Sequence, residues 1–154
     1  MTNQQPSQHK ILILATLSGG YRGADVAGQS HLEYPPNCYI LPVRTAAMFP
    51  PEFYVDSFRK GIDGIILMYS GTDSPYKGES ERTAEIINKT YGLMKEHGLD
   101  TRRLRLAAIC TVCARPFLNE IQKMNHLLGE IGPVSRGNSS PLTQQETGAT
   151  YGVA

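Results

Sequence analysis

The apolar residues of this chain gather in short runs, and between the runs they recur at helical spacing. Ile11-Leu12-Ile13-Leu14 is a continuous apolar run, the pattern of a strand covered on both faces. Ser18-Gly19-Gly20 breaks it, and a helix is predicted over about 23–32, punctuated by Pro35-Pro36. A second strand is expected over 38–43. Pro50-Pro51-Glu52 suits a helix start, Phe53, Val55 and Phe58 give that helix its apolar surface, and Gly61 stops it. A third strand is expected over 64–69. Ala84, Ile87, Tyr91 and Met94 then mark a longer helix closed by His97-Gly98. A fourth strand over 104–110 precedes a last helix with Phe117, Ile121, Met124 and Leu128 on one stripe.

Strand and helix alternating four times with short connections require parallel strands joined by right-handed crossovers. The expected fold is α/β: a small doubly wound parallel sheet of about four strands, in the order 2-1-3-4, with helices on both faces. The domain is expected over 10–133, after a polar arm at 1–9. Residues 134–154 are rich in Ser, Gly, Thr and Gln, with too little apolar surface to offset ordering entropy, and are expected to form a disordered tail.

At 154 residues the chain suits one domain with one core. A net charge of +1 provides no field that would favour nucleic acid or anionic membrane. No apolar run approaches the ~20 residues needed to span a bilayer, so no membrane insertion is expected. The polar start lacks the apolar centre of a signal peptide, and three cysteines fit reduced thiols in the cytoplasm.

Three segments carry a family resemblance: Gly23-Ala24-Asp25-Val26-Ala27-Gly28, Glu33-Tyr34-Pro35-Pro36, and Phe58-Arg59-Lys60-Gly61-Ile62-Asp63-Gly64. In that order and spacing the chain resembles the delta (iron–sulfur) subunit family of methyl-viologen-reducing hydrogenases. The resemblance implies an α/β domain that docks with larger flavin and iron–sulfur subunits of a heterodisulfide reductase- or hydrogenase-like assembly. It implies cluster-ligand cysteines near Ala15, Thr16, Gly19, Thr45, Ser70 and Pro75. None of these is Cys, whereas a [2Fe–2S] centre needs four protein ligands, thiolates with at most two His. The expectation is therefore a degenerate member with no cofactor: a non-catalytic docking subunit.

The remaining thiol signal is Cys110-Thr111-Val112-Cys113. A lone C-x-x-C can be a redox pair or half a metal site, but ordinary buried thiols outweigh both. Cys38 starts the second strand, at the opposite end of the sheet, and the four His form no tandem ligand motif. A redox dithiol at Cys110 and Cys113 is one alternative function. Another is a small anion or nucleotide site at Ser18-Gly19-Gly20, although a tight connection explains three small residues more simply. Tyr34-Pro35-Pro36 forms a rigid aromatic corner, structural or part of a docking surface.

Overall fold

The computed structural model describes residues 9–109 and 114–135. In chain order they form β1 (Ile11–Thr16), α1 (Gly20–Gln29), β2 (Cys38–Val43), α2 (Pro51–Arg59), β3 (Gly64–Tyr69), α3 (Glu79–Glu96), β4 (Leu104–Ala108) and α4 (Ala114–Ile131). The four strands make one sheet in the order β2-β1-β3-β4, and every pairing is parallel. This is the expected doubly wound α/β fold. The alternation within β1 divides the core between the two faces. Ile11, Ile13 and Ala15 pack with Ala27 of α1 and with Phe117, Ile121, Met124 and Leu128 of α4. On the other face Leu14 packs with Tyr54, Val55 and Phe58 of α2 and with Ile87 and Met94 of α3. Each buried Val, Leu, Ile, Phe or Met side chain among them contributes roughly 1.5–3 kcal/mol from burial.

Two helices depart from the sequence expectation. α1 begins at Gly20, three residues early, because Gly19 and Gly20 let the backbone lie against the end of β3. A Cβ on Gly20 would meet the Met68 Cβ at 2.4 Å. It ends at Gln29 in a turn where His31 takes φ +53 and Leu32 N–H donates to the Ala27 carbonyl. In α3 the buried stripe is Glu79, Thr83, Ile87, Thr90 and Met94, and Ala84 is exposed. Polar side chains occupy that inner face. The Thr90 hydroxyl donates to the Ile86 carbonyl at 2.8 Å, so its methyl group can pack.

The amino ends of the strands are tied together by Asp63, which is 4% exposed. Its carboxylate accepts the Lys10 N–H at 2.9 Å and the Val134 N–H at 2.9 Å. Arg103 donates to the carbonyls of Asp63 and Pro133 at 3.1 and 3.4 Å. The packed chain thus runs past Pro133, the expected boundary, because Val134 is itself buried in the α2/α3 face. Residues 1–8 of the expected polar arm at 1–9, Cys110 and Cys113, and residues 136–154 of the expected tail at 134–154 lie outside the described residues.

β2 is an outer strand. Ile11 N–H donates to Asn37 O and Leu17 N–H to Val43 O, so the odd-numbered residues of this strand turn their backbone groups toward β1. The even-numbered residues turn theirs outward. Cys38 N–H is engaged by Pro35 O and Pro42 has no N–H, which leaves Ile40 as the strand's outward donor.

Candidate functional site

In open α/β sheets, ligands and chemistry collect where the strands end and the loops enter the helices. Here that rim is built from 17–19 after β1, 44–50 after β2 and 70–78 after β3. The first and third loops touch. A Cβ on Gly19 would stand 2.5 Å from Ser70 N and 2.7 Å from Tyr69 C, and the hydroxyls of Ser18 and Ser70 are 3.3 Å apart. The glycine turn is thus explained by close packing against the end of β3. No side chain caps α1 at Gly19.

The second and third loops are joined through a residue that the sequence did not single out. Glu79, the first residue of α3, is 2% exposed. Its Oε1 accepts the Thr45 hydroxyl at 2.5 Å and the Ala46 N–H at 2.7 Å. Its Oε2 accepts the Ser74 hydroxyl. The two hydroxyls in turn accept backbone donors, Ala47 N–H on Thr45 and Tyr76 N–H on Ser74, each at 3.2 Å. Ser80 adds a bond to the Gly71 carbonyl at 3.1 Å. A signal for Glu79 exists in the sequence only as an acidic residue just after Gly78, which reads as a dipole partner of a helix start. That it faces inward, toward a loop 34 residues away, depends on tertiary packing.

The six positions where the resemblance would put cysteines lie along this rim in unlike surroundings. Ala15 and Thr16 are fully buried at the end of β1. Gly19 is walled in by main chain, Thr45 is engaged by Glu79, Ser70 is nearly buried, and Pro75 is exposed. Beside Thr45 an open cleft of about 370 Å³ is lined by Tyr76, Arg82, Ile86 and Lys89. Arg82 is held by the carbonyls of Gly78 and Lys77 at 3.3 and 3.0 Å, and Lys89 pairs with Glu85 on the exposed helix surface at 3.1 Å. Such an exposed pair adds little stability.

Tyr34-Pro35-Pro36 is not part of this rim. It connects α1 to the start of β2, and the Tyr34 ring meets Phe117 of α4 edge-on at 6.0 Å. Cys38 is likewise at the far end of the sheet, and burial pushes its thiol up to about 11. Among the described residues no three His, Cys, Asp or Glu side chains gather as a metal site. No helix among them is long and apolar enough to cross a membrane.

A family model described as methyl-viologen-reducing hydrogenase, delta subunit, matches residues 11–132, from the first strand to the end of the last helix. The chain belongs to this family. Among relatives of this delta-subunit domain, an iron-sulfur subunit of the F420-non-reducing hydrogenase of Archaeoglobus profundus is 27% identical over 115 residues, 73% of this chain and 83% of that one. Its counterpart from the vhu hydrogenase of Methanocaldococcus jannaschii is 22% identical over 124 residues, 80% of this chain and 92% of that one. A third relative, from the ferredoxin:CoB-CoM heterodisulfide reductase of Methanosarcina mazei, is 28% identical over 118 residues. That match takes in 74% of this chain and 14% of the length of the reductase polypeptide. The delta-subunit domain therefore makes up most of some relatives and only a small part of another, much longer one.

Proposed function

We propose that this chain is a non-catalytic docking subunit of a multi-subunit redox assembly of the hydrogenase or heterodisulfide reductase type, and that it carries no iron–sulfur cluster of its own. The family membership and the names of the relatives support a subunit of such an assembly; larger flavin or iron–sulfur proteins as its partners and the cytoplasm as its compartment are part of the proposal. The observation that carries the cluster-free part is the donor chemistry of the rim. Ala15, Thr16, Gly19, Thr45, Ser70 and Pro75 supply no thiolate and no imidazole, and this set does not fit a cluster that needs four such ligands. Protein atoms already fill the space at two of these positions, with Ser70 backbone against Gly19 and Glu79 against Thr45.

A domain can keep the surface its partners need after its ligand loops have changed, because sites and scaffold are separable parts of a fold. The test is anaerobic purification of the tagged chain from its native cells, followed by iron analysis and identification of what co-elutes. Under this reading the isolated chain is colourless and free of stoichiometric iron, and it co-purifies with redox subunits across an interface above ~1,000 Å². About two irons per chain with a visible cluster band would refute the cluster-free reading. Elution as a monomer, together with a redox complex that stays assembled and active after deletion of the chain, would refute docking.

A further inference from the structure

The loops 44–50 and 70–78 come from β2 and β3, and these strands are not neighbours, since β1 lies between them. Nothing in the sheet ladder joins the two loops. A cluster held by cysteines from several loops would join them through metal–sulfur bonds, and this chain lacks those cysteines. We infer that the buried Glu79 carboxylate is the cross-link that stands in place of a cluster: a positioning residue that holds the second and third loops together and keeps the rim formed without metal.

The geometry matches that part. Glu79 is anchored on an 18-residue helix, so its position is fixed from one side. Both of its oxygens are used, Oε1 toward Thr45 and Ala46 in one loop and Oε2 toward Ser74 in the other. All three partners are donors, the complement of an ionised acid, which only accepts. A buried carboxylate is costly unless such donors surround it, and the positive end of α3 adds to them. An ordinary helix-start glutamate would serve its own first turn. This one binds residues 33 and 34 positions away in sequence. The network also passes outward, because Ala47 and Tyr76 place their N–H groups on the Thr45 and Ser74 hydroxyls. Three loop amides, of Ala46, Ala47 and Tyr76, thus take their partners from this one group and its two hydroxyls.

Substitution for a cluster rests on the cluster-free reading above, but the cross-link has its own test. Amide hydrogen exchange on the full purified chain, resolved by residue, compares wild type with Glu79→Ala and Glu79→Gln. In Glu79→Ala the Ala46, Ala47 and Tyr76 amides are expected to exchange at least tenfold faster, while Ile13 and Ile66 in the sheet centre keep their protection. Glu79→Gln is expected to restore most of it, since its oxygen accepts from Thr45 and Ala46 and its NH2 donates to the Ser74 oxygen. Should Glu79→Ala not fold, Thr45→Val and Ser74→Ala each remove one arm, with Ala47 opening in the first and Tyr76 in the second. Unchanged loop exchange in these variants, or equal acceleration at Ile13 and Ile66, would overturn the inference. Iron bound to the wild-type chain would instead overturn the cluster-free reading and leave the exchange result standing.

Discussion

A methyl group on Gly19 would meet main-chain atoms of Tyr69 and Ser70 at 2.7 and 2.5 Å, and neither can swing aside. Gly19→Ala is therefore expected to cost about 1–3 kcal/mol, the range for overpacking a filled site, read as a lower midpoint in urea. The sequence showed three small residues in one turn but not the strand that lies against them, so both a tight connection and an anion turn stayed open there. Cys38 gives a second measurable consequence. Burial disfavours its thiolate and moves the group from 9.0 to about 11, so native protein at about pH 8 should leave Cys38 unalkylated until it is denatured. Fast labelling of native protein would then report on Cys110 and Cys113 and favour the dithiol alternative. Burial also moves Tyr54 up to about 12. Both groups are acids with a raised folded-state value. Their contribution to stability is complete below about pH 9 and is lost as pH rises through about 11 and 12, where the unfolded chain is already ionised. A pH series of melting temperatures should fall over that alkaline window, and Cys38→Ala should remove the earlier part of the fall.

Among the elements, the strands were legible because a parallel sheet covered on both faces needs continuous apolar runs, which β1 and β3 have. β2 is different. Tyr39 and Leu41 are 52% and 42% exposed, so its outer face is apolar and open, a pattern associated with association at sheet edges. Backbone chemistry limits what this edge can offer another strand, with Pro42 lacking a donor and Cys38 N–H already taken. Pro42→Val restores an outward donor on a strand that already exposes Tyr39 and Leu41. Its expected effect is concentration-dependent self-association, visible as increased light scattering while the circular dichroism of the monomer is kept. The helices were legible in number and rough place, but not always in phase. α3 buries Glu79, Thr83 and Thr90, and a hydrophobic-spacing argument assigns such residues to solvent, so it chose the neighbouring stripe through Ala84 and Tyr91. The buried carboxylate went unseen for the same reason.

Across the whole molecule, two buried acids sit at opposite ends of the sheet. Asp63 immediately precedes β3 and binds both the start of β1 and the chain after α4; Glu79 lies beyond the end of β3 and binds the rim loops. From sequence Asp63 reads as a turn or cap residue, because its partners Lys10, Arg103 and Val134 lie 53, 40 and 71 residues away. Asp63→Ala leaves the buried Val134 N–H and the part-buried Lys10 N–H without their acceptor and Arg103 without its neighbouring charge. A loss of about 2–4 kcal/mol is expected in urea denaturation. Chain ends offer a milder version of the same experiment: a protein stopped after Pro133 loses the Val134 arm and should fall by about 1–2 kcal/mol. One stopped after Ser135 keeps it and should match the full chain, if the tail from 136 is dispensable as its composition implies. The six-residue strand between the two acids spans about 20 Å, and no partner is shared. Their effects should therefore add. The double variant Asp63→Ala with Glu79→Ala is expected to lose the sum of the single losses to within about 0.5 kcal/mol. Exchange should open at the rim only through Glu79. A coupling well above about 1 kcal/mol would mean that the rim and the lock at the amino edge form one cooperative unit, and then the rim loops could not have changed their chemistry independently of the fold.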